Sequence, residues 1–289
     1  MARIFLSSFD DSDMAVFKYC DSFGIDVLRN LELKITPPNE FNDPFEFTPH
    51  VICTSVNRRF KNVLRDKNEL RGMFANQKKV GFKGDFRLFK RQLREMRPTF
   101  VKHLEPHMPG VNAELQRTLL DRTSADHGML CLSSRQDSVL MWGHYCDKHR
   151  GVVIGLNRDW DIFSTGGRLR EVQYVRDRVI FDTSLPPGSK AENDCIEKMV
   201  FTKNLDWGYE HELRQVFILR GLRQRTLADG RKCHFLPIPP QAITSVCLGV
   251  RCPKKTEEEV RGVLSNPSLS HVKITRASLH SSEFRIVTE

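Results

Sequence analysis

One block of the chain, residues 54–122, carries apolar side chains at helical spacing and separates two groups of predicted strands. The spacing recurs along the block, at Phe60, Val63, Leu64, Phe86, Phe89, Leu93 and Met96. Because strands and helices do not alternate regularly, a doubly wound parallel sheet is disfavoured. We predict an α+β fold, with a mixed, mainly antiparallel central sheet in a single domain at 14–289 and a helical insertion at about 54–123.

Short apolar or alternating runs predict the strands of this sheet, and the run at 213–219 is also rich in β-branched and aromatic residues. They lie at residues 15–19, 31–36, 128–134, 152–156, 171–175, 213–219, 233–238 and 242–250, with two more within 272–287. Helices are predicted at 190–204 and 256–265, and another begins at Asp137 or Ser138 and ends near Gly151.

Two acids, Glu210 and Glu212, stand at the start of the strand predicted at 213–219. Residues two apart in a strand point to the same side, so we expect the two carboxylates to project together. Acidic residues are mostly exposed, and the same spacing is typical of a solvent-facing strand end. Only neighbouring groups can distinguish a site from such an end.

Polar side chains form three further groups along the chain. Lys18 and Tyr19 lie on the first predicted strand, and Asn42, Asp43 and Glu46 lie in an aromatic-rich loop at 39–47. The third group is Ser133 and Ser134 with the residues Trp142, His144, Tyr145 and His149 of the helix predicted to follow them. The residues Lys203, Trp207, Tyr209 and Arg214 accompany the acidic pair. Buried aromatic residues with satisfied polar atoms are the plain alternative for Trp142 and Tyr145.

Several site classes lack their sequence signal. There is no nucleophile turn of the G-x-S-x-G type and no glycine-rich phosphate loop. The eight cysteines form no C-x-x-C pair, so we predict free, mainly buried thiols and no metal site. No apolar run approaches a membrane span, and the N-terminal stretch turns acidic after a short apolar patch. We therefore expect no membrane partner and a cytoplasmic location.

The net charge of +9 is concentrated, with basic residues clustered at 58–102 and again at 214–232. Such a surface favours an anionic partner such as a nucleotide, a nucleic acid or a phosphorylated substrate. A solvated face without a partner is the alternative.

Six segments of the chain resemble the bacterial family of domain of unknown function 2971. They are F-K-Y (17–19), P-P-N-E-F-N-D-P-F-E (37–46), C-L-S-S (131–134), M-W-G-H-Y (141–145), H-R-G-V-V-I-G (149–155) and W-G-Y-E-H-E-L-R (207–214). The resemblance runs from about residue 16 to 287. It implies no reaction.

The order of these parts also resembles that of ADP-ribosyltransferases. Those enzymes have a first strand with a basic or polar residue, a middle strand ending in Ser or Thr, and a late strand with the catalytic Glu, often as E-x-E. Here F-K-Y, C-L-S-S and Y-E-H-E follow that order, although Lys18 and Tyr19 stand where Arg or His is usual. The resemblance implies an ADP-ribosyltransferase-like fold and NAD as substrate.

The resemblance also implies roles for individual residues. Glu212 would stabilise the positive charge that develops on the ribose, and Glu210 would orient or deprotonate the nucleophile. Ser133 or Ser134 would position the ribose, Tyr145 or Trp142 would stack on a base, and Lys18 would pair with a phosphate. Tyr19 completes the cofactor-binding candidates, and the other site candidates are Asn42, Asp43, His144, His149 and Arg214.

Three hypotheses for function follow. The leading one is an NAD-consuming ADP-ribosyltransferase or NAD glycohydrolase, such as an intracellular toxin or phage-defence enzyme. The second is a nucleic-acid-binding module without catalysis that uses the basic segment 58–102. The third is a metal-dependent nuclease or hydrolase that uses Asp43, Glu46, Glu210 and Glu212.

Overall fold

The structure of the protein is a computed structural model. It describes residues 15–21, 24–52, 56–165, 167–186, 188–227 and 230–288. The chain divides into two compact units. Unit 1 contains Met1–Glu46, Arg122–Asp177 and Phe201–Glu289, and unit 2 contains Phe47–Asp121 and Arg178–Val200. Residue 14 at the predicted domain start, Cys53, and residues 54–55 of the predicted helical block lie outside the described residues.

The described residues form fifteen strands and eight α-helices, joined by short 3₁₀ helices. The strands are β1 (Ala15–Cys20), β2 (Glu32–Ile35), β3 (His50–Ile52), β4 (His127–Ser133), β5 (Val152–Asn157), β6 (Gly167–Glu171), β7 (Gln173–Val175), β8 (Ile180–Asp182), β9 (Thr202–Asn204), β10 (Glu212–Ile218), β11 (Arg223–Thr226), β12 (Lys232–Pro237), β13 (Ile243–Leu248), β14 (Lys273–Leu279) and β15 (Ile286–Thr288). The helices are α1 (Gly24–Asn30), α2 (Val56–Arg65), α3 (Lys67–Lys79), α4 (Phe86–Leu104), α5 (Met108–Asp126), α6 (Val139–Tyr145), α7 (Lys190–Val200) and α8 (Lys254–Leu264).

Unit 1 is built on a curled eight-stranded sheet with the order β15-β14-β13-β5-β1-β4-β10-β6. All neighbouring pairs are antiparallel except β13 with β14. The prediction of a mixed, mainly antiparallel central sheet is therefore confirmed. A three-stranded sheet, β11-β12-β2, and the parallel pair β7-β9 complete the sheet structure described in this unit.

The two faces of the large sheet bury different side chains because neighbours along a strand alternate between faces. On one face Val16, Leu132 and Leu213 belong to the larger apolar cluster. On the other face Phe17, Ser133 and Glu212 lie opposite one another across β1, β4 and β10. Apolar residues of α6, including the fully buried Trp142, pack beside this row.

Unit 2 contains most of the predicted helical block. Asp66 caps α3 by accepting hydrogen bonds from the backbone N–H groups of Asn68 and Glu69, and Asp85 caps α4 through Leu88. Its small apolar core joins Val63, Leu70 and Phe89. A short parallel pair, β3 with β8, also belongs to this unit. Among the described helices, none has the length and hydropathy needed to cross a bilayer.

Several element boundaries differ from the prediction. The helix predicted at 190–204 ends at Val200, because residues 202–204 leave it to pair with β7. The strand predicted at 171–175 is two strands, β6 and β7, which pair with different partners. The helix predicted to end near Gly151 stops at Tyr145, and residues Asp147–His149 all adopt left-handed backbone conformations with φ of 44°, 55° and 69°.

Candidate functional site

A cavity of about 280 Å³ opens in unit 1 where β1 and β4 separate. Among the described residues these strands pair only at Phe17 and Ser133, although they are neighbours in the sheet. The carbonyl of Cys131 instead accepts a hydrogen bond from Lys18 Nζ at 2.9 Å. The cavity is lined by β1, β4, α6 and the segment 36–42, together with Lys203, Glu210 and Glu212.

Five charged side chains, three of which line the cavity, form what we call the ion cluster: Glu46, Lys203, Glu210, Glu212 and Arg214. None is more than 6 % exposed. The Lys203 ammonium lies 2.7 Å from Glu210, 3.0 Å from Glu46 and 3.3 Å from Glu212. Three carboxylates against two cations leave one negative charge in excess. Burying such a charge is costly unless it is paired or protonated.

Arg214 favours the ionised form of Glu212. Its two carboxylate oxygens accept hydrogen bonds from Arg214 Nε at 2.8 Å and Nη2 at 2.9 Å. Burial alone would raise the pKa of Glu212, but Arg214 and Lys203 outweigh burial and lower the pKa from 4.5 to about 2. Arg214 also pairs with Glu46 and lies over the ring of Phe41, 5.2 Å from its centroid.

The pKa of Glu210 is shifted in the opposite direction, upward. Its burial raises the pKa of this carboxyl above the usual range, even though Lys203 and Tyr145 donate hydrogen bonds that favour the ionised form. Two neighbouring carboxylates therefore have pKa values shifted in opposite directions. That separation is the pattern by which proteins assign acid and base roles to similar groups.

The prediction that both glutamates share one strand is wrong for Glu210. Glu210 ends a 3₁₀ helix at Leu205–Glu210, and the strand begins at Glu212. Between them His211 is left-handed, with φ 45° and ψ 49°. The two carboxylates converge on Lys203 because the chain turns a corner at His211, and both are buried, unlike the alternative of a solvent-facing strand end.

Three of the sequence segments meet through one chain of hydrogen bonds. Asn42 Nδ2 donates to the Tyr145 hydroxyl at 3.0 Å, and that hydroxyl donates to Glu210 Oε1 at 2.6 Å. Burial is the main cause that raises the pKa of Tyr145, so its hydroxyl keeps its proton. The N-D-P-F loop, the M-W-G-H-Y helix and the segment before β10 thus surround a single cavity.

The remaining cofactor-binding candidates divide between the cavity and its surroundings. Lys18, Tyr19 and Ser133 line the cavity. Tyr19 donates a hydrogen bond to the carbonyl of Arg135 at 3.0 Å, and Ser133 donates to the carbonyl of Glu210 at 2.7 Å, which fixes the backbone of that acid. Ser134 is exposed and is not among the lining residues.

Four more sequence candidates, like Ser134, are not among the residues that line the cavity. Trp142 is fully buried and donates a hydrogen bond to the carbonyl of Gln136, so its ring belongs to the apolar core. His149 stacks against Trp142, and burial lowers its pKa. His144 lies 2.9 Å from the Tyr209 hydroxyl, and Asp43 accepts a hydrogen bond from the backbone of Phe45.

Lys203, which accompanies the acidic pair in the sequence but has no predicted role, lies at the centre of the ion cluster, and Tyr174 is a further neighbour that the sequence did not indicate. The Tyr174 hydroxyl accepts a hydrogen bond from the Glu212 backbone N–H at 2.8 Å. The sequence does contain a signal for Lys203, since a cation close in the chain to two acids is a plausible partner for both. Its predicted place inside a helix obscured that signal.

The comparisons with known proteins give one match. A sequence model of the family described as "Protein of unknown function (DUF2971)" matches residues 141–215. This match supports the predicted resemblance to that family. The matched segment contains Tyr145, Lys203, Glu210, Glu212 and Arg214, whereas Glu46 and Ser133 lie outside it. No curated protein matched the chain, and no solved structure did. The resemblance to ADP-ribosyltransferases is therefore not supported by any of the comparisons.

The ion cluster predicts a strong effect of removing its central cation. In Lys203→Met three buried carboxylates face Arg214 alone, and we expect the free energy of unfolding to fall by about 3–5 kcal/mol. Urea unfolding followed by circular dichroism measures this change. Lys34→Met is the matched control, because Lys34 pairs with Glu40 at a partly exposed site and such pairs contribute about 1 kcal/mol or less. Equal losses in the two variants would contradict the assigned role of Lys203.

Glu212 predicts a specific dependence of stability on pH. Its folded-state pKa is depressed from 4.5 to about 2, so its contribution is present above pH 4.5 and is lost as the pH falls toward 2. We expect Glu212→Gln to be less stable than the wild type at pH 7 and the difference to narrow across that window. Urea unfolding at a series of pH values tests this, with Glu258→Gln as an exposed control. A difference that is constant with pH would rule out the linkage.

Proposed function

We propose that the cavity binds NAD and that the protein cleaves or transfers across the nicotinamide–ribose bond, as an ADP-ribosyltransferase or an NAD glycohydrolase. The observation that carries this proposal is the pair Glu210 and Glu212, two buried carboxylates at one cavity with pKa values shifted in opposite directions. A reaction that develops positive charge and also moves a proton needs one acid of each kind.

The proposed chemistry assigns each acid a step. The C–N bond to nicotinamide breaks, and its electron pair leaves with neutral nicotinamide. Positive charge grows on the ribose as this bond breaks. The ionised Glu212 therefore stabilises the transition state more than it stabilises the ground state. Water or an acceptor group then attacks the ribose carbon, and Glu210 takes the proton that the nucleophile loses. Tyr145 and Asn42 hold Glu210 in place.

A second cavity adjoins the first and extends the space that an elongated substrate could occupy. It measures about 400 Å³ and shares Lys18, Tyr19, Thr36 and Tyr145 with the first. Beyond the shared wall its charged lining consists of three cations, Lys34, Arg225 and Arg231, and three acids, Asp21, Asp26 and Glu32. The proposed substrate would place its ribose at Glu210 and Glu212 and its pyrophosphate toward Lys18, whose ammonium acts as a point charge.

Incubation of the purified protein with NAD tests the proposal. We expect release of free nicotinamide, and we expect Glu210→Gln and Glu212→Gln each to lower kcat/KM by roughly 10²–10⁴-fold, the range for removing a general acid or base. Glu258→Gln on the surface of α8 is the control and should match the wild type. Nicotinamide release that is absent, or that persists in both cavity variants, would overturn the assignment.

A second candidate function is nucleic-acid binding through unit 2. Residues 58–102 contain 15 Lys and Arg against 4 Asp and Glu, a net charge of +11. Because the whole chain carries +9, the other residues carry a net −2. This segregation favours an anionic partner for the helical unit.

Salt dependence tests this second candidate. We expect affinity for a double-stranded DNA or RNA oligonucleotide to fall steeply with salt, since bound cations release counterions. Replacing the exposed Arg91 and Arg94 of α4 by Glu should weaken binding and reduce the slope of log K against log salt. Lys254→Glu with Lys255→Glu on α8 is the matched control. Binding that is absent or insensitive to salt would exclude this function.

The third hypothesis, a metal-dependent nuclease, has less geometric support. The Lys203 ammonium lies at the centre of Glu46, Glu210 and Glu212, where a cation shared by those acids would sit. Asp43, the fourth acid of that hypothesis, is not among the residues that line the cavity. Within the part of the chain that the structure describes, no group of three or more His, Cys, Asp or Glu residues has the arrangement of a metal site.

A further inference from the structure

Unit 2 contains an apolar groove of about 700 Å³ that the proposed reaction does not use. Its lining comes from α2, α3, α4 and the start of α5, with Thr183 beside them. Most lining side chains are Phe, Met, Leu or Val, and the polar ones are Glu69, Gln77, Gln92 and Thr183. The volume lies within the range of about 300–1,000 Å³ that is typical of ligand pockets.

The groove is long because α4 supplies one continuous wall. Its lining residues recur at Phe89, Leu93, Met96, Phe100 and Leu104, spacings of three or four residues that keep them on one helical face. These positions span about 22 Å at 1.5 Å per residue. A partner segment of roughly four helical turns would match that length.

The part of the groove lined by the C-terminal half of α4 is exposed to solvent as well as apolar. Met96 is 49 % exposed, Phe100 40 % and Leu104 44 %, and Met73 on the facing α3 is 38 % exposed. By contrast Phe89 at the base is buried and belongs to the core of unit 2. Methionine-rich, half-exposed grooves suit a partner helix because unbranched Met side chains adapt to its side chains.

The charge of the residues around the groove indicates which kind of partner helix would fit it. The segment that forms most of the groove carries a net charge of +11, yet no Lys or Arg is among the lining residues. Cations such as Lys90 and Arg94 lie outside the apolar stripe of α4. An occupant with an apolar face toward the groove and acids along its flanks would match both features.

We infer that the groove of unit 2 docks an acidic amphipathic helix of a partner protein. A bilayer fits less well, because membrane insertion needs apolar side chains that protrude, whereas these line a concavity. Nucleic acid fits less well too, because phosphates do not use an apolar groove. The inference does not depend on the proposed NAD chemistry, since all lining residues belong to unit 2.

A designed peptide tests the inference on the full-length protein. The probe is a fluorescein-labelled 18-residue helix with Leu at positions i, i+3, i+4 and i+7 and Glu elsewhere. The control peptide has the same composition with its Leu residues spread around the helix. By fluorescence anisotropy we expect saturable binding of the first peptide and at least about tenfold weaker binding of the second.

Matched variants locate the binding site. Met96→Glu and Phe100→Glu place an acid in the groove, and we expect each to weaken binding of the first peptide roughly tenfold or more, as for a central contact. Val80→Glu adds the same charge to unit 2 at a residue that is 78 % exposed and outside the lining, and it should bind like the wild type. Circular dichroism and thermal unfolding identify any variant that fails to fold, and either groove variant alone suffices for the test.

Four outcomes would overturn the inference. They are no saturable binding of the first peptide, equal binding of the two peptides, binding unchanged in the folded groove variants, and an equal loss in Val80→Glu. Vesicles of phosphatidylserine and phosphatidylcholine, and a double-stranded DNA oligonucleotide, are run as competitors. If either competitor bound the wild type more tightly than the peptide does, and bound the groove variants less, the occupant would be a membrane or a nucleic acid instead.

Discussion

The ammonium of Lys203 is the interaction on which the arrangement of the candidate site depends. It joins side chains from three separate parts of unit 1: Glu46 from the loop after β2, Glu210 from the 3₁₀ helix and Glu212 from β10. Arg214 adds a link to Glu46 across 168 residues of sequence. Since an unpaired buried charge is far more costly than a paired one, each member is held in place by the others. The cavity wall is therefore set by charge pairing as much as by apolar packing.

The same pairing gives two similar acids different properties. Glu212 faces a guanidinium through both oxygens, which favours its ionised form. Glu210 shares one ammonium and accepts from a neutral phenol, and burial dominates its pKa. Neither difference is visible in the E-x-E spacing. It arises from the corner at His211, which sends one acid along the strand and leaves the other on the preceding 3₁₀ helix.

Patterns that are local in sequence predicted much of this structure. Strands β1, β4, β5 and β10 have six or seven residues each, and their runs of apolar residues are typical of strands buried in a sheet. The short strands β3 and β8 carry no such signal, since each has three residues and pairs with a distant segment. The predicted helical position of Lys203 was wrong for a similar reason. Residues 202–204 pair with β7, so the helix ends at Val200, before Lys203. That the Asn42, Tyr145 and Glu210 segments surround one cavity could not be predicted, because these contacts join residues more than sixty positions apart in the sequence.

The excess negative charge of the ion cluster connects stability to the proposed chemistry. With three carboxylates and two cations, the ion cluster carries one negative charge in excess, and burial raises the pKa of Glu210 within it. A ribose that develops positive charge would offset that excess during the reaction. The same electrostatic imbalance that opposes ionisation of Glu210 in the free protein would then favour the transition state over the substrate. A cluster of two carboxylates and two cations would be more stable, but it would lack that preference.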